Sequence, residues 1–182
     1  MAMLLAFMPF VVFAVVERLT SPLPGLAAAA LAAAALVLRD AAAPHRAPKI
    51  LEIGTVLLFT GLTFYTWLGN PGWSVIGVRL WVDAGLLAIV LLSIALRRPF
   101  TLQYAREQVP EALWDTPEFI RTNYVITAIW SLAFAVIVLA EWAIVHTSIP
   151  QKLGIIAVIA ALIGAVRFTG WYPRHIRRRA AA

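Results

Sequence analysis

Six apolar stretches divide the chain, and they restrict it to folds that satisfy the backbone inside a lipid bilayer. They cover residues 3–18, 24–38, 50–67, 74–96, 122–145 and 152–172. Several approach the roughly 20 residues that a helix needs to cross a hydrocarbon core of about 30 Å. Because 62% of the residues are hydrophobic and only 13% are charged, the composition is that of a membrane protein. We therefore predict an all-α fold, a polytopic transmembrane helical bundle with six spans, forming a single transmembrane domain over residues 1–182.

The first two stretches are shorter than most of the others. Pro9 and the segment 21–25, which contains two prolines and a glycine, limit the helices on either side. We interpret the two stretches as a tight helical hairpin, with a re-entrant pair that does not fully cross as the alternative. The first stretch has no basic segment before it and no small-x-small cleavage site after it. We therefore expect a helix of the mature protein and not a signal peptide.

Basic residues fall almost entirely on alternate sides of these stretches, and this sets the orientation. One side collects Arg39, Arg46, Lys49, Arg97, Arg98, Arg106, Arg121, Arg174, Arg177, Arg178 and Arg179. The other side has Arg18 and Lys152 at its margins, with Arg79 further into a span. We predict that both the N and C termini are cytoplasmic and that the basic side contacts anionic lipid. The net charge of +6 then needs no nucleic acid to explain it, and no nucleic-acid partner is expected.

Several ionisable residues fall in the outer half of the predicted membrane region. They are Glu17, Arg18, Arg79, Asp83, Glu141 and His146. A charge at a helix centre costs about 2.5–3.5 kcal/mol, so it usually has a partner, a water-filled cavity or a short route to the interface. Arg79 and Asp83 are spaced i, i+4 and can pair. Two interpretations stay open, an ion-paired structural cluster and a solute site or proton relay. Glu52 and Arg167 are interpreted as interfacial anchors.

The sequence offers little support for cofactor, metal or catalytic chemistry. It has no Cys, which excludes thiolate metal sites and disulfides. His45 and His175 fall on the predicted inner side and His146 on the other, so no haem or metal site is expected. Neither a carboxylate cluster nor a nucleophile with a nearby base appears at a recognisable spacing. We therefore expect no cofactor and no enzymatic activity, with a membrane enzyme as the least favoured alternative.

The connector over residues 97–121 is too long and too patterned to serve only as a link. Its aromatic and apolar side chains, Phe100, Tyr104, Leu113 and Trp114, are expected in the head-group region. The candidate partner-docking residues are Arg106, Glu107, Glu111, Trp114 and Asp115. The acidic residues recur at helical spacing, and two interpretations stay open. They form a cytosolic docking stripe, or they solvate the connector and pair with the basic cytoplasmic tail at 173–182.

Four short motifs together resemble a known family. They are the opening segment 7–13, the entry to the third stretch at 49–52, the segment 59–63 and Arg97-Arg98-Pro99 followed by an amphipathic loop. In these features, over residues 7–140, the chain resembles the intracellular septation protein A family of bacterial inner-membrane proteins. The resemblance implies a multi-pass location in the bacterial inner membrane and a role in cell division and envelope maintenance. It carries over no catalytic residues, and the fuller segment 100–119 and the Arg-rich C-terminus depart from the family pattern.

Two hypotheses from different functional classes follow. In the first, the protein is a non-enzymatic membrane component that organises the cell envelope or division, with envelope or division proteins as partners. In the second, it is a small-solute or ion transporter or channel, proton-coupled in one version, in which Arg79 and Asp83 line a site that Glu141 or a second protomer completes. Homo-oligomerisation stays open, because the small residues of the second stretch serve packing within one chain equally well.

Overall fold

A computed structural model describes residues 2–43 and 47–180 of the chain. Within these ranges the secondary structure is helical and contains no strand, which confirms the all-α fold. The elements are α1 (Ala2–Leu5), α2 (Met8–Leu19), α3 (Pro22–Ala42), α4 (Ile50–Gly69), α5 (Val75–Ala95), α6 (Phe100–Arg106), a 3-10 turn (Glu111–Leu113), α7 (Pro117–His146) and α8 (Gln151–Ala180). The expectations for His45 and Arg46 concern residues outside these ranges.

Five helices are long and apolar enough to cross a membrane. They are α3, α4, α5, α7 and residues Gln151–Ile176 of α8. The protein is therefore a multi-pass helical membrane protein. The stretches predicted at 50–67 and 74–96 coincide closely with α4 and α5, and the predicted tail from residue 173 continues α8 as far as Ala180.

The first predicted span differs from the structure. A turn at Ala6 and Phe7 interrupts it, so that α2 has 12 residues and contains Pro9 in its first turn. A proline suits that position because its missing N–H would have no partner within the helix. At 1.5 Å per residue, α2 is about 18 Å long and falls short of a core of about 30 Å. By length alone, α2 is therefore not among the membrane-crossing helices.

Packing separates the chain into two compact units, one up to Ile89 and one from Val90, with the boundary inside α5. In the first unit, α3 packs against both α2 and α4. The buried core of this unit contains Phe13, Leu26, Ala29, Phe59, Val78 and Val82. The alanine-rich sequence of α3 makes this arrangement possible, because small side chains let helix backbones approach closely in lipid.

Glycines mark the closest helix contacts of the first unit. A Cβ atom on Gly25 would lie 2.7 Å from the Cβ of Glu17, where α3 meets α2. A Cβ atom on Gly85 would lie 2.2 Å from a terminal methyl carbon of Leu58, where α5 meets α4. A larger residue at Gly25 would force α2 and α3 apart, because backbone atoms of Glu17 lie 3.0 Å from the added Cβ, whereas at Gly85 the Leu58 side chain would have to move. The Gly25 contact also fixes the position of Glu17 at the end of α2.

In the second unit, α7 packs against α8, and the short α6 lies on α7. Buried hydroxyl groups connect these helices. The Thr101 hydroxyl lies 2.7 Å from the Thr127 hydroxyl and donates to the Asn123 carbonyl oxygen at 2.9 Å. The Trp130 indole nitrogen donates to the Thr169 hydroxyl at 2.9 Å. Such interhelical bonds stabilise association in lipid, where the hydrophobic drive between helices is small.

Candidate functional site

A buried ion pair joins α2 to α5 in the first unit. Glu17 lies in the last turn of α2, and its side chain has 0% exposure, whereas the Arg79 side chain is 36% exposed. The Arg79 Nη2 atom donates to the Glu17 Oε2 atom at 2.8 Å. Both residues were predicted to lie in the same half of the membrane, but no sequence pattern pairs them. Their contact depends on the α2–α3 hairpin, which brings the end of α2 to the start of α5.

The Glu17–Arg79 pair keeps unused hydrogen-bonding capacity. Among the described residues, neither the Glu17 Oε1 atom nor the Arg79 Nε atom has a hydrogen-bond partner, although both atoms are buried. A buried polar atom without a partner is costly, so it calls for a water, a proton or a ligand group. The free carboxylate oxygen can accept a proton or a hydrogen bond while the other oxygen stays on Arg79.

The remaining predicted members of the polar site are Arg18, Asp83 and Glu141. Arg18 follows Glu17 but is exposed. Asp83 is partly buried and lies one turn beyond Arg79 on α5. Glu141 is buried in α7, within the second unit. The structure thus brings Glu17 and Arg79 together, with Asp83 on the same helix as Arg79.

A second charge cluster, which we call the Asp40–Lys49–Glu52 cluster, lies where α3 ends and α4 begins. Asp40, Lys49 and Glu52 are only 0%, 4% and 3% exposed. The Lys49 Nζ atom contacts the Asp40 Oδ2 atom at 2.5 Å and the Glu52 Oε1 atom at 3.5 Å. Arg39 Nη2 lies 2.6 Å from the Asp40 Oδ1 atom. One buried ammonium group therefore holds a carboxylate from each helix.

Sequence reasoning missed this cluster. Glu52 was expected to be an interfacial anchor that reaches the head groups, and this is wrong because its side chain is buried against Lys49. The signal was present, since Lys49 precedes α4 and Glu52 is its third residue, the spacing of a capping box. The Glu52 carboxylate accepts the Lys49 backbone N–H at 3.3 Å. The part played by Asp40 becomes visible only once α3 and α4 form a hairpin.

The connector between α5 and α7 is folded, and its apolar side is buried. Phe100 and Tyr104 are 0% and 1% exposed, so the expectation that they lie among head groups is wrong. Trp114 closes the segment by donating its indole N–H to the carbonyl oxygens of Arg106 and Val109, at 3.1 and 3.2 Å. The Arg106 guanidinium lies 5.5 Å from the centre of the Trp114 ring. These contacts hold the connector in one conformation.

The exposed side of the connector carries acidic groups, which we call the acidic edge: Glu107, Glu111 and Asp115. Asp115 contacts Arg106 at 3.3 Å, yet its side chain is 93% exposed. Leu113, in the same segment, is also exposed. An exposed apolar side chain with polar groups nearby in the sequence is compatible with a protein interaction surface, whose centre is apolar and whose rim is polar.

Histidine and carboxylate positions offer no metal centre in the described part of the chain. No group of three or more His, Asp or Glu residues there is arranged to hold a metal ion. His146 stacks on Trp142 with ring centres 5.1 Å apart, and His175 stacks on Trp171 at 4.8 Å. Both rings therefore serve as aromatic packing groups at the ends of α7 and α8.

Comparison with known proteins adds no family assignment. No family model matches the chain, and no curated protein or solved structure is significantly similar to it. The resemblance to the intracellular septation protein A family therefore stays an interpretation of short motifs. The fold supports a coarser conclusion. The chain is a multi-pass helical membrane protein whose described residues include two buried charge sites and a folded acidic connector.

Proposed function

We propose that this protein is a non-enzymatic, multi-pass component of the bacterial inner membrane that organises cell-envelope or division proteins through the acidic edge. The folded connector carries the proposal. A simple link between two spans has no need of a buried helical face or of a tryptophan that closes the segment, whereas a docking surface must be held in shape before its partner arrives.

The proposed topology has six spans and places both termini in the cytoplasm. Residues 2–19, which include α1 and α2, would extend about 27 Å if the turn at Ala6 and Phe7 keeps the two helices in line, and this is close to the thickness of the hydrocarbon core. The alternation of basic residues favours the same topology, because Arg97, Arg98 and Arg121 flank the connector. The acidic edge would then face the cytosol.

The partner should carry basic and apolar groups. The exposed Leu113 lies in sequence between Glu111 and Asp115 of the acidic edge, and cationic side chains would complement these carboxylates. The motif resemblance favours a partner from cell division or envelope synthesis. Since the edge is small, a weak and regulated contact is more consistent with it than a permanent complex.

Neutralising the acidic edge is expected to weaken partner binding about tenfold. The variant Glu107→Gln/Glu111→Gln removes two charges and leaves the Arg106–Asp115 contact in place. A photoreactive residue at Leu113 in living cells should form a discrete crosslink with a membrane or division protein, and this adduct should fade in the variant. Ser148→Lys/Gln151→Lys changes the net charge equally where α7 is joined to α8, and this variant should keep the adduct. An unchanged adduct in the neutralised variant would contradict the proposal.

A second candidate function is proton-coupled or ion transport at the Glu17–Arg79 pair, with Asp83 as a neighbouring group. The observation that favours it is the buried Glu17 Oε1 atom, which has no hydrogen-bond partner among the described residues. In liposomes, an imposed pH gradient or ion gradient should dissipate through the wild type, and Glu17→Gln and Asp83→Asn should reduce this flux to the level of empty liposomes. Glu118→Gln, at an exposed carboxylate, is the control. Equal flux in all four proteins, or none in any, would exclude this candidate.

A further inference from the structure

The last helix carries cations without any acidic residue. Between Gln151 and Ala180, α8 contains no Asp or Glu, and Arg167 and Arg174 lie exposed on one face, two turns apart. Neither arginine forms an ion pair with a carboxylate of the described residues. An arginine within a membrane span is costly unless a counter-charge or water reaches it. The described part of the chain therefore leaves both guanidinium groups available to an external anion.

A groove lies between the two arginines. It encloses about 380 Å³. Its lining residues are Val166, Arg167, Gly170, Trp171, Arg174 and His175. Gly170 forms an open floor, because a Cβ atom there would have no neighbour within 4 Å. The stacked rings of Trp171 and His175, with centres 4.8 Å apart, form a rigid wall beside it.

The positions of Arg167 and Arg174 along α8 can be compared with the thickness of a bilayer. On a helix that begins at Gln151, Arg167 lies about 24 Å along the axis and Arg174 about 35 Å. With Gln151 placed at the near boundary of a hydrocarbon core of about 30 Å, the two cations lie on either side of its far boundary. Trp171, between them, is the residue type that prefers this boundary. Phospholipid phosphate is the anion that is always present at this depth.

We propose that this groove is a binding site for the phosphate head group of an anionic phospholipid. Arg167 and Arg174 bind the phosphate, Gly170 leaves room for the glycerol backbone, and the Trp171 ring packs along the upper part of an acyl chain. The site is independent of the acidic edge and of the Glu17–Arg79 pair. It would fix the depth and rotation of α8 in the leaflet where the C-terminal end of α8 emerges.

Native mass spectrometry of the detergent-purified full chain tests the site by titration with phosphatidylglycerol and with phosphatidylcholine. The wild type should retain phosphatidylglycerol in preference. Arg167→Gln and Arg174→Gln should each reduce the preference for phosphatidylglycerol about fivefold, and the double variant should reduce it about 25-fold. The control Arg98→Gln/Arg121→Gln removes the same charge from exposed positions elsewhere, and this variant should keep the preference for phosphatidylglycerol.

A second pair of variants tests the shape of the groove without changing any charge. Gly170→Leu should fill the floor and reduce phosphatidylglycerol retention, and since no atom lies near the new Cβ the helix should fold normally. Gly164→Leu introduces the same side chain on α8 outside the groove, also into open space, and should have no effect. Unchanged preference in both groove variants, equal loss in groove and control variants, or displacement of the lipid by millimolar inorganic phosphate would each overturn the proposal.

Discussion

Replacing Lys49 with Met should lower the free energy of unfolding by about 3–5 kcal/mol, because removing one partner of a buried ionic group leaves the other charges uncompensated. Met keeps the length of the side chain but removes the ammonium group. Asp40 and Glu52 would then be two buried carboxylates from adjoining helices, and Arg39 would still contact Asp40. The variant should separate the α3–α4 hairpin at this end before the rest of the first unit unfolds.

Reversible unfolding in mixed detergent micelles measures this effect. Lys152→Met, at an exposed lysine of α8, is the matched control and should change the free energy of unfolding by less than about 0.5 kcal/mol. The triple variant Lys49→Met/Asp40→Asn/Glu52→Gln should recover much of the loss, because neutral groups tolerate burial far better than unpaired carboxylates. A loss in Lys49→Met no larger than in Lys152→Met would mean that the Asp40–Lys49–Glu52 cluster adds no stability.

Most of the spans follow from the sequence because hydropathy and length alone decide whether a segment can cross lipid. The predicted stretch 50–67 became α4 (Ile50–Gly69), and 74–96 became α5 (Val75–Ala95). The first predicted span is not a single helix in the structure, and the reason is local. Pro9 suits the start of a new helix, and the turn at Ala6 and Phe7 divides the segment before it.

The charge sites were harder to predict because their pairs join distant parts of the chain. Hydropathy identified the charges of Glu17 and Arg79 as costly to place in the membrane. Glu17 lies in α2 and Arg79 in α5, however, and the two meet only after α3, which lies between them in the sequence, has packed. Local spacing suggested Arg79 with Asp83, since these lie on one helix. Lys49 was counted only among the basic residues of the predicted inner side, and no periodic pattern shows that a lysine next to a span is buried against Asp40.

Arg79→Met tests whether the Glu17–Arg79 pair stabilises the fold, and we expect the free energy of unfolding to fall by about 2–4 kcal/mol. The reason is the complete burial of the Glu17 side chain, which loses its cation at 2.8 Å. The effect should be smaller than for Lys49→Met, because Arg79 is partly exposed and water can enter beside it. Arg18→Met, an exposed arginine adjacent to Glu17, is the matched control and should have little effect.

The double variant Arg79→Met/Glu17→Gln decides between a structural and a functional pair. If the pair is structural, Glu17→Gln alone lowers the stability, the double variant is more stable than Arg79→Met, and gradients across liposomes are unaffected. If Glu17 binds a proton or a cation during transport, Glu17→Gln abolishes the flux while the folded protein persists, since its amide can still accept a hydrogen bond from Arg79. Equal stability of wild type and Arg79→Met would contradict the structural interpretation, because a fully buried carboxylate cannot lose its cation without cost unless another group or water replaces it.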